Sequence, residues 1–207
     1  MMDLQRVNAY MERVAQSEKK TFRPVSDKLK VGLDLGTAYI VLVVLDEEDN
    51  PVACEKQAAS VLKDGVVVDY VGALQIVREL KEKLEKRLGT ELQYCAIAMP
   101  AGTEDSIKTH QYIAEGAGLE VTNVLDEPSA ANAIYQIDDG VVVDIGGGTT
   151  GLAILKNGVV TQIEDEPTGG THLSLVLAGN YRISFDEAEK IKQDYKRHKE
   201  IFPIVKP

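Results

Sequence analysis

The sequence lacks an excess of basic residues. It has 23 Lys and Arg against 33 Asp and Glu, which gives a net charge of −10 at pH 7 and a pI near 4.9. Binding to the phosphate backbone of nucleic acid needs a basic face, so this composition argues against a nucleic-acid partner. A small phosphate-bearing ligand would have to be held by backbone amides and a metal ion.

Cysteines and long apolar runs are also scarce. Cys54 and Cys95 each lie in a strand-like apolar segment, which favours buried, reduced thiols over a disulfide or a metal pair. No segment approaches the length of a membrane-spanning helix, and the N-terminus is too charged for a secretory signal. We therefore expect a cytoplasmic protein without a membrane partner. Its 207 residues, 44% of them hydrophobic, suffice for two modest cores.

Two segments share one pattern, in which an acidic turn rich in glycine and threonine separates two apolar runs. The first turn follows Asp34 and the second follows Asp144, 110 positions later (144 − 34). Each segment predicts a strand, a tight turn and a second strand. Glycine allows backbone N–H groups to converge on an anion, and a carboxylate can hold a divalent cation through water.

A single turn of this kind is better explained as an ordinary glycine-rich hairpin, because short motifs match by chance. The spacing between the two turns is about the length of one compact domain. Two related half-units, each with an acidic turn, indicate a nucleotide held between them.

The rest of the chain predicts alternating strands and helices. Residues 3–20 have the spacing of an amphipathic helix, for which docking onto the protein body and binding a partner are the two alternatives. Strand, helix, strand, helix after an initial meander predicts a mixed sheet flanked by helices. Thr103 is expected to cap one helix, and Ser184 another in a capping box with Glu187.

This pattern divides the chain into three parts. Residues 1–28 form an N-terminal helix and linker, residues 29–138 a first domain, and residues 139–207 the first part of a second domain. The opening meander repeats at the start of this last part.

Five short motifs occur in a fixed order along the chain. They are Asp34-Leu35-Gly36-Thr37, Met99-Pro100, Asp126-Glu127-Pro128-Ser129-Ala130-Ala131, Asp144-Ile145-Gly146-Gly147-Gly148-Thr149 and Thr168-Gly169-Gly170-Thr171. In this order they resemble the actin-like ATPase superfamily, which includes the seventy-kilodalton heat-shock chaperones and the bacterial actins. Residues 124–128, 143–151 and 169–184 resemble, more narrowly, the ethanolamine utilisation protein J family, a chaperone-like component of ethanolamine catabolism.

The resemblance implies an α/β fold of two duplicated ribonuclease-H-like domains and a site for ATP and Mg²⁺. Asp34 and Asp144 would face one another across the interdomain cleft and hold Mg²⁺ through water. Glu127 would line the same cleft, position water or metal, and complete the catalytic group. The residues expected to bind the nucleotide are Gly36, Thr37, Ala38, Gly146, Gly147, Gly148, Thr149, Gly169, Gly170, Thr171, Glu189 and Lys192.

Several of these residues also have a simpler explanation. An acid at position 127 is favoured at a helix N-terminus, and Glu189 with Lys192 has the spacing of a surface i,i+3 ion pair. Position 38 is Ala where the chaperones have a second threonine. The segment that supplies the chaperones' catalytic lysine is absent, and Lys63 resembles a bacterial-actin loop residue instead.

The resemblance implies a chaperone-like accessory protein of ethanolamine utilisation, with weak ATP hydrolysis at most. The expected partners are ethanolamine ammonia-lyase or microcompartment shell proteins, in the cytoplasm or at a bacterial microcompartment. The alternatives are a non-hydrolysing scaffold or adaptor of the ethanolamine microcompartment and, least favoured, a filament-forming protein.

Overall fold

The computed structural model describes residues 3–63, 65–100 and 104–206. The strands are β1 (Lys30–Leu35), β2 (Tyr39–Leu45), β3 (Pro51–Ala58), β4 (Leu62–Lys63), β5 (Val66–Val67), β6 (Tyr94–Met99), β7 (Glu120–Asp126), β8 (Gly140–Ile145), β9 (Thr150–Lys156) and β10 (Val159–Glu166). The helices are α1 (Leu4–Ser17), α2 (Tyr70–Leu88), α3 (Glu104–Gly116), α4 (Glu127–Tyr135), α5 (Gly170–Tyr181), α6 (Phe185–Gln193) and α7 (His198–Val205).

The strands form a five-stranded sheet in the order β3-β2-β1-β6-β7, a three-stranded sheet in the order β10-β9-β8, and a small β4-β5 pair. The first sheet is mixed, because β1 is antiparallel to β2 but parallel to β6. The second is antiparallel throughout. The predicted α/β class, with a mixed sheet flanked by helices, is confirmed. In the described part of the chain, no helix is both long enough and apolar enough to cross a bilayer.

The larger core lies between the first sheet and helices α2 and α3. Leu33, Leu42, Leu80, Leu84 and Ile113 belong to it, and each is at most 1% exposed. Burying one such side chain contributes about 1.5 to 3 kcal/mol. This core fixes the position of β1, and therefore of the turn that follows it.

Helix α1 packs against the edge strand β3. Val7 is buried, and the Arg13 Nε donates to the Pro51 carbonyl oxygen at 3.1 Å. The Arg6 guanidinium donates to the carbonyl oxygen of Ile134 near the end of α4. Helix α1 thus contacts both the first sheet and α4.

The two acidic hairpins have the same strand register. Asp34 pairs with Val41 in the first hairpin, and Asp144 pairs with Gly151 in the second. All six pairs of the β1-β2 hairpin coincide with the six pairs of β8-β9 when the numbering is shifted by 110. The acid therefore occupies the same place relative to the turn in both hairpins.

Helix α4 joins the two sheets. It follows β7 directly, and its residues Ala131 and Tyr135 pack against the small core of the second sheet around Val142. The helix begins at Glu127 and has Pro128 in its first turn, and the Asp126 carboxylate caps it by accepting a hydrogen bond from the Ser129 N–H at 2.8 Å.

The remaining predicted caps have different outcomes. Ser184 and Glu187 form the expected capping box at the start of α6. The predicted cap Thr103 lies outside the described residues.

Candidate functional site

A cavity of about 570 Å³ lies between the first hairpin, the second hairpin and α4. Asp34 reaches it from β1, Asp144 from β8 and Glu127 from the first turn of α4. The three predicted acids thus line one space. The predicted phosphate-turn residues that also line this cavity are Gly36, Thr37, Ala38, Gly146, Gly147, Gly148 and Thr149.

The two glycine turns have the same backbone hydrogen bond. The Gly36 N–H donates to the Tyr39 carbonyl oxygen at 3.0 Å, and the Gly146 N–H donates to the Thr149 carbonyl oxygen at 3.0 Å. Both turns are therefore closed by the same hydrogen bond, and both line the cavity. Glycine turns of this kind can bring backbone N–H groups together on an anion.

The tips of the two turns touch each other. A Cβ added at Gly147 would lie 2.9 Å from the Ala38 Cβ, and one added at Gly148 would lie 2.6 Å from the Thr37 Oγ1. Both distances are shorter than van der Waals contact. Glycine is required in the second turn because the first turn packs directly against it.

The acids in the cavity are shifted towards their protonated forms. The pKa of Asp34 is raised from 3.8 to about 6, first by burial and then by the nearby Asp144 carboxylate. The pKa of Glu127 is raised from 4.5 to about 8, first by burial and then by neighbouring acids, with Asp34 and Asp144 foremost. Burial also raises the pKa of Asp144. A cation placed among these groups would reverse the shifts, because it favours the charged forms.

Sequence patterns did not single out Asp165 on β10, a fourth acid near this group. Burial raises its pKa, whereas a hydrogen bond from the Thr149 hydroxyl lowers it. Among the described residues its Oδ1 has no hydrogen-bond partner. Asp165 pairs with Gly151, which in turn pairs with Asp144, so it lies one strand beyond the second acidic turn.

A second cavity, of about 600 Å³, adjoins the first and shares Thr37, Ala38, Tyr39 and Gly147 with it. Thr171, Glu189 and Lys192 line it, as does Lys63 in β4. Thr171, Glu189 and Lys192, which were also predicted to bind the nucleotide, therefore lie in a cavity next to the phosphate turns. The predicted residues Gly169 and Gly170 do not line either cavity.

Glu189 and Lys192 form the expected i,i+3 ion pair, with 2.7 Å between the Lys192 Nζ and the Glu189 Oε2. The Lys192 Nζ also donates to the Gly170 carbonyl oxygen at 2.8 Å, and the buried Ser174 hydroxyl donates to Glu189. Burial opposes ionisation of Glu189, but hydrogen bonds from Lys192, Ser174 and Gln193 outweigh it and lower the pKa. The pair thus fixes α6 against the start of α5 and also lines the second cavity.

The glycines that begin α5 contact the second turn. The Gly170 N–H donates to the Gly146 carbonyl oxygen at 2.9 Å, and the Thr171 N–H donates to that of Gly147 at 2.8 Å. A Cβ at Gly169 would lie 2.6 Å from the Gly146 carbonyl oxygen. These two N–H groups thus hold the start of α5 against the backbone of the second turn. Thr171 also lines the second cavity.

The residues present are compatible with Mg²⁺ and a phosphate chain. No three His, Cys, Asp or Glu side chains within the described ranges are close enough to hold a metal ion directly, so a metal would be held partly through water. The carboxyl groups of Asp34, Glu127 and Asp144 provide oxygen ligands for a hydrated metal ion, and the two glycine turns, which line the same cavity, provide backbone donors for phosphate.

Comparison with known proteins places this geometry in a family. Residues 51–193 match a family model described as MreB/Mbl protein. The ethanolamine utilization protein EutJ of Escherichia coli K12 is 48% identical over 179 residues, which are 86% of this chain and 63% of the relative. The chain thus spans about 63% of the length of the curated EutJ relatives that it matches.

Solved structures of related proteins also resemble this chain. The crystal structure of ethanolamine utilization protein EutJ from Carboxydothermus hydrogenoformans superposes with a TM-score of 0.85 at 52% identity, over 97% of this chain and 73% of that one. MreB 5 of Spiroplasma citri bound to AMPPNP superposes with a TM-score of 0.63 at 20% identity, over 82% of this chain and 63% of that one, which shows a shared fold. The chain belongs to the ethanolamine utilisation protein EutJ family, within the actin-like ATPase superfamily.

Proposed function

We propose that the protein binds Mg·ATP between two duplicated actin-like domains and acts as a chaperone-like accessory protein of ethanolamine utilisation. One observation carries the proposal: Asp34, Glu127 and Asp144 line a single cavity beneath two glycine turns of equal register. The first half contributes Asp34, Glu127 and one turn, and the second half contributes Asp144 and the other turn, so neither half forms the site alone.

The equal register supports a duplication. Six strand pairs repeat with a constant shift of 110, and the tips of the two hairpins meet at Gly148 and Thr37. An unrelated hairpin would have no reason to place its acid at the same distance from its turn. On this proposal the domains are residues 29–138 and 139 onwards, with residues 1–28 as an added helix and linker.

In the phosphate cavity, Asp34 and Asp144 would hold Mg²⁺ through water, and backbone N–H groups of the two turns would bind the phosphate oxygens. When bound, Mg·ATP supplies an electrophilic γ-phosphorus whose charge the metal neutralises. Glu127 would orient the attacking water and accept its proton at a carboxylate oxygen. Burial and the neighbouring acids raise the pKa of Glu127 in the ligand-free site, and bound Mg²⁺ would favour the charged carboxylate that a base requires.

The second cavity would hold the nucleoside. Lys192 and Glu189 line it, and each is already fixed by hydrogen bonds to α5. Thr171, at the start of α5, would contact ribose or phosphate. MreB 5 of Spiroplasma citri, which shares the fold, has been crystallised with AMPPNP.

Nucleotide binding would shift the equilibrium of the two halves towards a closed arrangement. A partner that contacts the cleft or the outer faces would then bind the open and closed arrangements with different affinity. Relatives named ethanolamine utilization protein EutJ support a role in ethanolamine utilisation. Ethanolamine ammonia-lyase or microcompartment shell proteins are the proposed partners, in the cytoplasm or at the microcompartment.

A second candidate is a non-hydrolysing scaffold or adaptor of the microcompartment. Two N–H groups at the start of α5 already donate to carbonyl oxygens of the second turn, and Ala38 offers no hydroxyl to a phosphate. Both features reduce the number of donors available to stabilise a transition state. ATP binding without turnover would favour this candidate.

Calorimetric titration of the full chain with Mg·ATP tests the proposal. We expect one molecule of ATP per chain, with binding lost or weakened at least tenfold in Asp34→Asn. Asp49→Asn is the control. It removes an exposed acid from the β2-β3 turn, at the end of β2 that is opposite to the acidic turn, and it should bind Mg·ATP like wild type. Absence of any wild-type binding would overturn the nucleotide proposal, and binding without phosphate release would leave the adaptor.

A further inference from the structure

Lys56 on β3 is the one basic residue among the described residues that line the phosphate cavity. We propose that Lys56 is a phosphate-binding residue and that Glu18, which follows α1, competes with the nucleotide for its ammonium group. This inference rests on the proposed binding of Mg·ATP. It adds a residue that the family motifs do not contain, and it links α1 to the site.

Strand pairing places Lys56 opposite the first acid. Asp34 pairs with Val41, and Val41 pairs with Lys56, so the three residues form one row across the sheet. Directly paired residues project from the same face. Lys56 and Asp34 are two strands apart, about 10 Å between Cα atoms. A phosphate group and its metal ion fit in this gap, with the Asp34 carboxylate on one side and the Lys56 ammonium on the other.

The second hairpin has an equivalent row in which the charge is opposite. Asp144 pairs with Gly151, and Gly151 pairs with Asp165, so Asp165 occupies the place that Lys56 has in the first hairpin. The two rows thus carry three acids and one base, of which Asp34, Asp144 and Lys56 line the phosphate cavity. A triphosphate carries more negative charge than one Mg²⁺ neutralises, and Lys56 is placed to offset part of the remainder.

The Lys56 ammonium is already near the first turn. Its Nζ lies 5.9 Å from the ring centroid of Tyr39, the residue that closes that turn. It also lies 2.9 Å from the Glu18 Oε1, and this hydrogen bond is the main reason that the pKa of Lys56 is raised. The two side chains are 46% and 31% exposed, so the pair is weak enough for a phosphate to displace the carboxylate.

Glu18 does not move freely, because the chain around it is anchored. The Arg87 guanidinium donates to the Ser17 carbonyl oxygen at 2.7 Å. At the other end of α1, Arg6 donates to Ile134, which also lines the phosphate cavity. Transfer of Lys56 from Glu18 to a phosphate would therefore remove one of the contacts that hold the end of α1 to β3.

The experiment compares Mg·ATP affinity, by calorimetry, in wild type and in Lys56→Gln, Lys56→Arg, Glu18→Gln and the double variant. Lys56→Gln should weaken binding about tenfold or more, and Lys56→Arg should restore most of it. Glu18→Gln should tighten binding a few-fold, because Lys56 is then unpaired. The double variant should bind like Lys56→Gln alone.

Lys30→Gln is the matched control. Lys30 lies on β1 at the opposite end from the turn and forms an exposed ion pair with Asp49, so its loss removes the same charge without touching the site. Hydrogen exchange gives a readout independent of affinity: Mg·ATP should speed exchange of the amides of residues 14–20 in wild type but not in Lys56→Gln.

The outcomes separate the two proposals. If wild type does not bind Mg·ATP, the proposed function fails and this inference fails with it. If wild type binds and Lys56→Gln binds equally well, the site stands and the role of Lys56 is overturned. If Lys56→Gln weakens binding but Glu18→Gln also weakens it, the competition with Glu18 is overturned.

Discussion

Gly148 and Thr37 are in direct contact across the two hairpin tips, so closely that a Cβ at Gly148 would lie 2.6 Å from the Thr37 Oγ1. The contact ties the geometry of one glycine turn to the position of the other. Any side chain at position 148 must therefore push the two halves apart or distort a turn.

We accordingly predict that Gly148→Ala destabilises the protein by about 1 to 3 kcal/mol and weakens Mg·ATP binding, because the methyl group overpacks the contact between the turns. Urea unfolding and calorimetry measure the two effects. Gly179→Ala is the matched control: nothing lies within 4 Å of a Cβ at Gly179, which is in α5, so this variant should be as stable as wild type or more stable. Equal behaviour of the two variants would refute the contact.

Asp34→Asn should stabilise the ligand-free protein. Burial and the neighbouring Asp144 raise the pKa of Asp34 from 3.8 to about 6, so the charged form costs folding free energy at pH 7. The shift corresponds to an upper bound of roughly 3 kcal/mol, and we expect a gain of about 1 to 2 kcal/mol in urea unfolding. Added Mg²⁺ should stabilise wild type but not the variant, whereas a less stable variant would contradict this account.

His110 should make stability depend on pH. It is fully buried, its Nδ1 lies 2.9 Å from the Ser106 carbonyl oxygen, and burial lowers its pKa from 6.5. Below pH 6.5 the histidine is therefore protonated more readily in the unfolded chain than in the folded chain. The free energy of unfolding is highest above pH 6.5 and decreases as the pH falls below that value. His110→Asn should show a smaller loss between pH 7.5 and 5.5 in urea unfolding, while His198→Asn, at an exposed position, should retain the wild-type slope.

Asp46→Asn should destabilise the β2-β3 turn. The fully buried Asp46 carboxylate accepts hydrogen bonds from the N–H groups of Asn50, Glu48 and Val25 at 2.9, 3.0 and 3.3 Å. Burial by itself raises the pKa of Asp46, but these hydrogen bonds outweigh burial and lower the pKa. An amide group cannot accept all of them, so we expect a loss of about 1 to 3 kcal/mol. Asp49→Asn, in the same turn but exposed, should change stability little.

The hairpins could be predicted because their signals are local. Apolar runs on both sides of Asp34 and Asp144 specify the strands, and glycine specifies the turns, whatever the rest of the chain does. Ser184 and Glu187 lie within four residues at the start of one helix, so their capping box could be predicted equally well.

Lys56, Asp165 and Glu18 could not be predicted in the same way. Whether a residue on a third strand faces the site depends on register. Both β3 and β10 contain a bulge, and the two strands differ in register by one residue: Val41 pairs with Lys56, whereas the corresponding Gly151 pairs with Asp165 and not with residue 166. The pairing of Glu18 with Lys56 depends on how α1 packs on β3.

A double-mutant cycle tests most directly whether both acids act on one metal-bound triphosphate. Mg·ATP affinity would be measured for wild type, Asp34→Asn, Asp144→Asn and the double variant. We expect each single variant to lose at least tenfold in affinity, and the double variant to lose little more than either, because one shared ion is already lost. Losses that simply multiply in the double variant, or single variants that bind like wild type, would contradict a shared site.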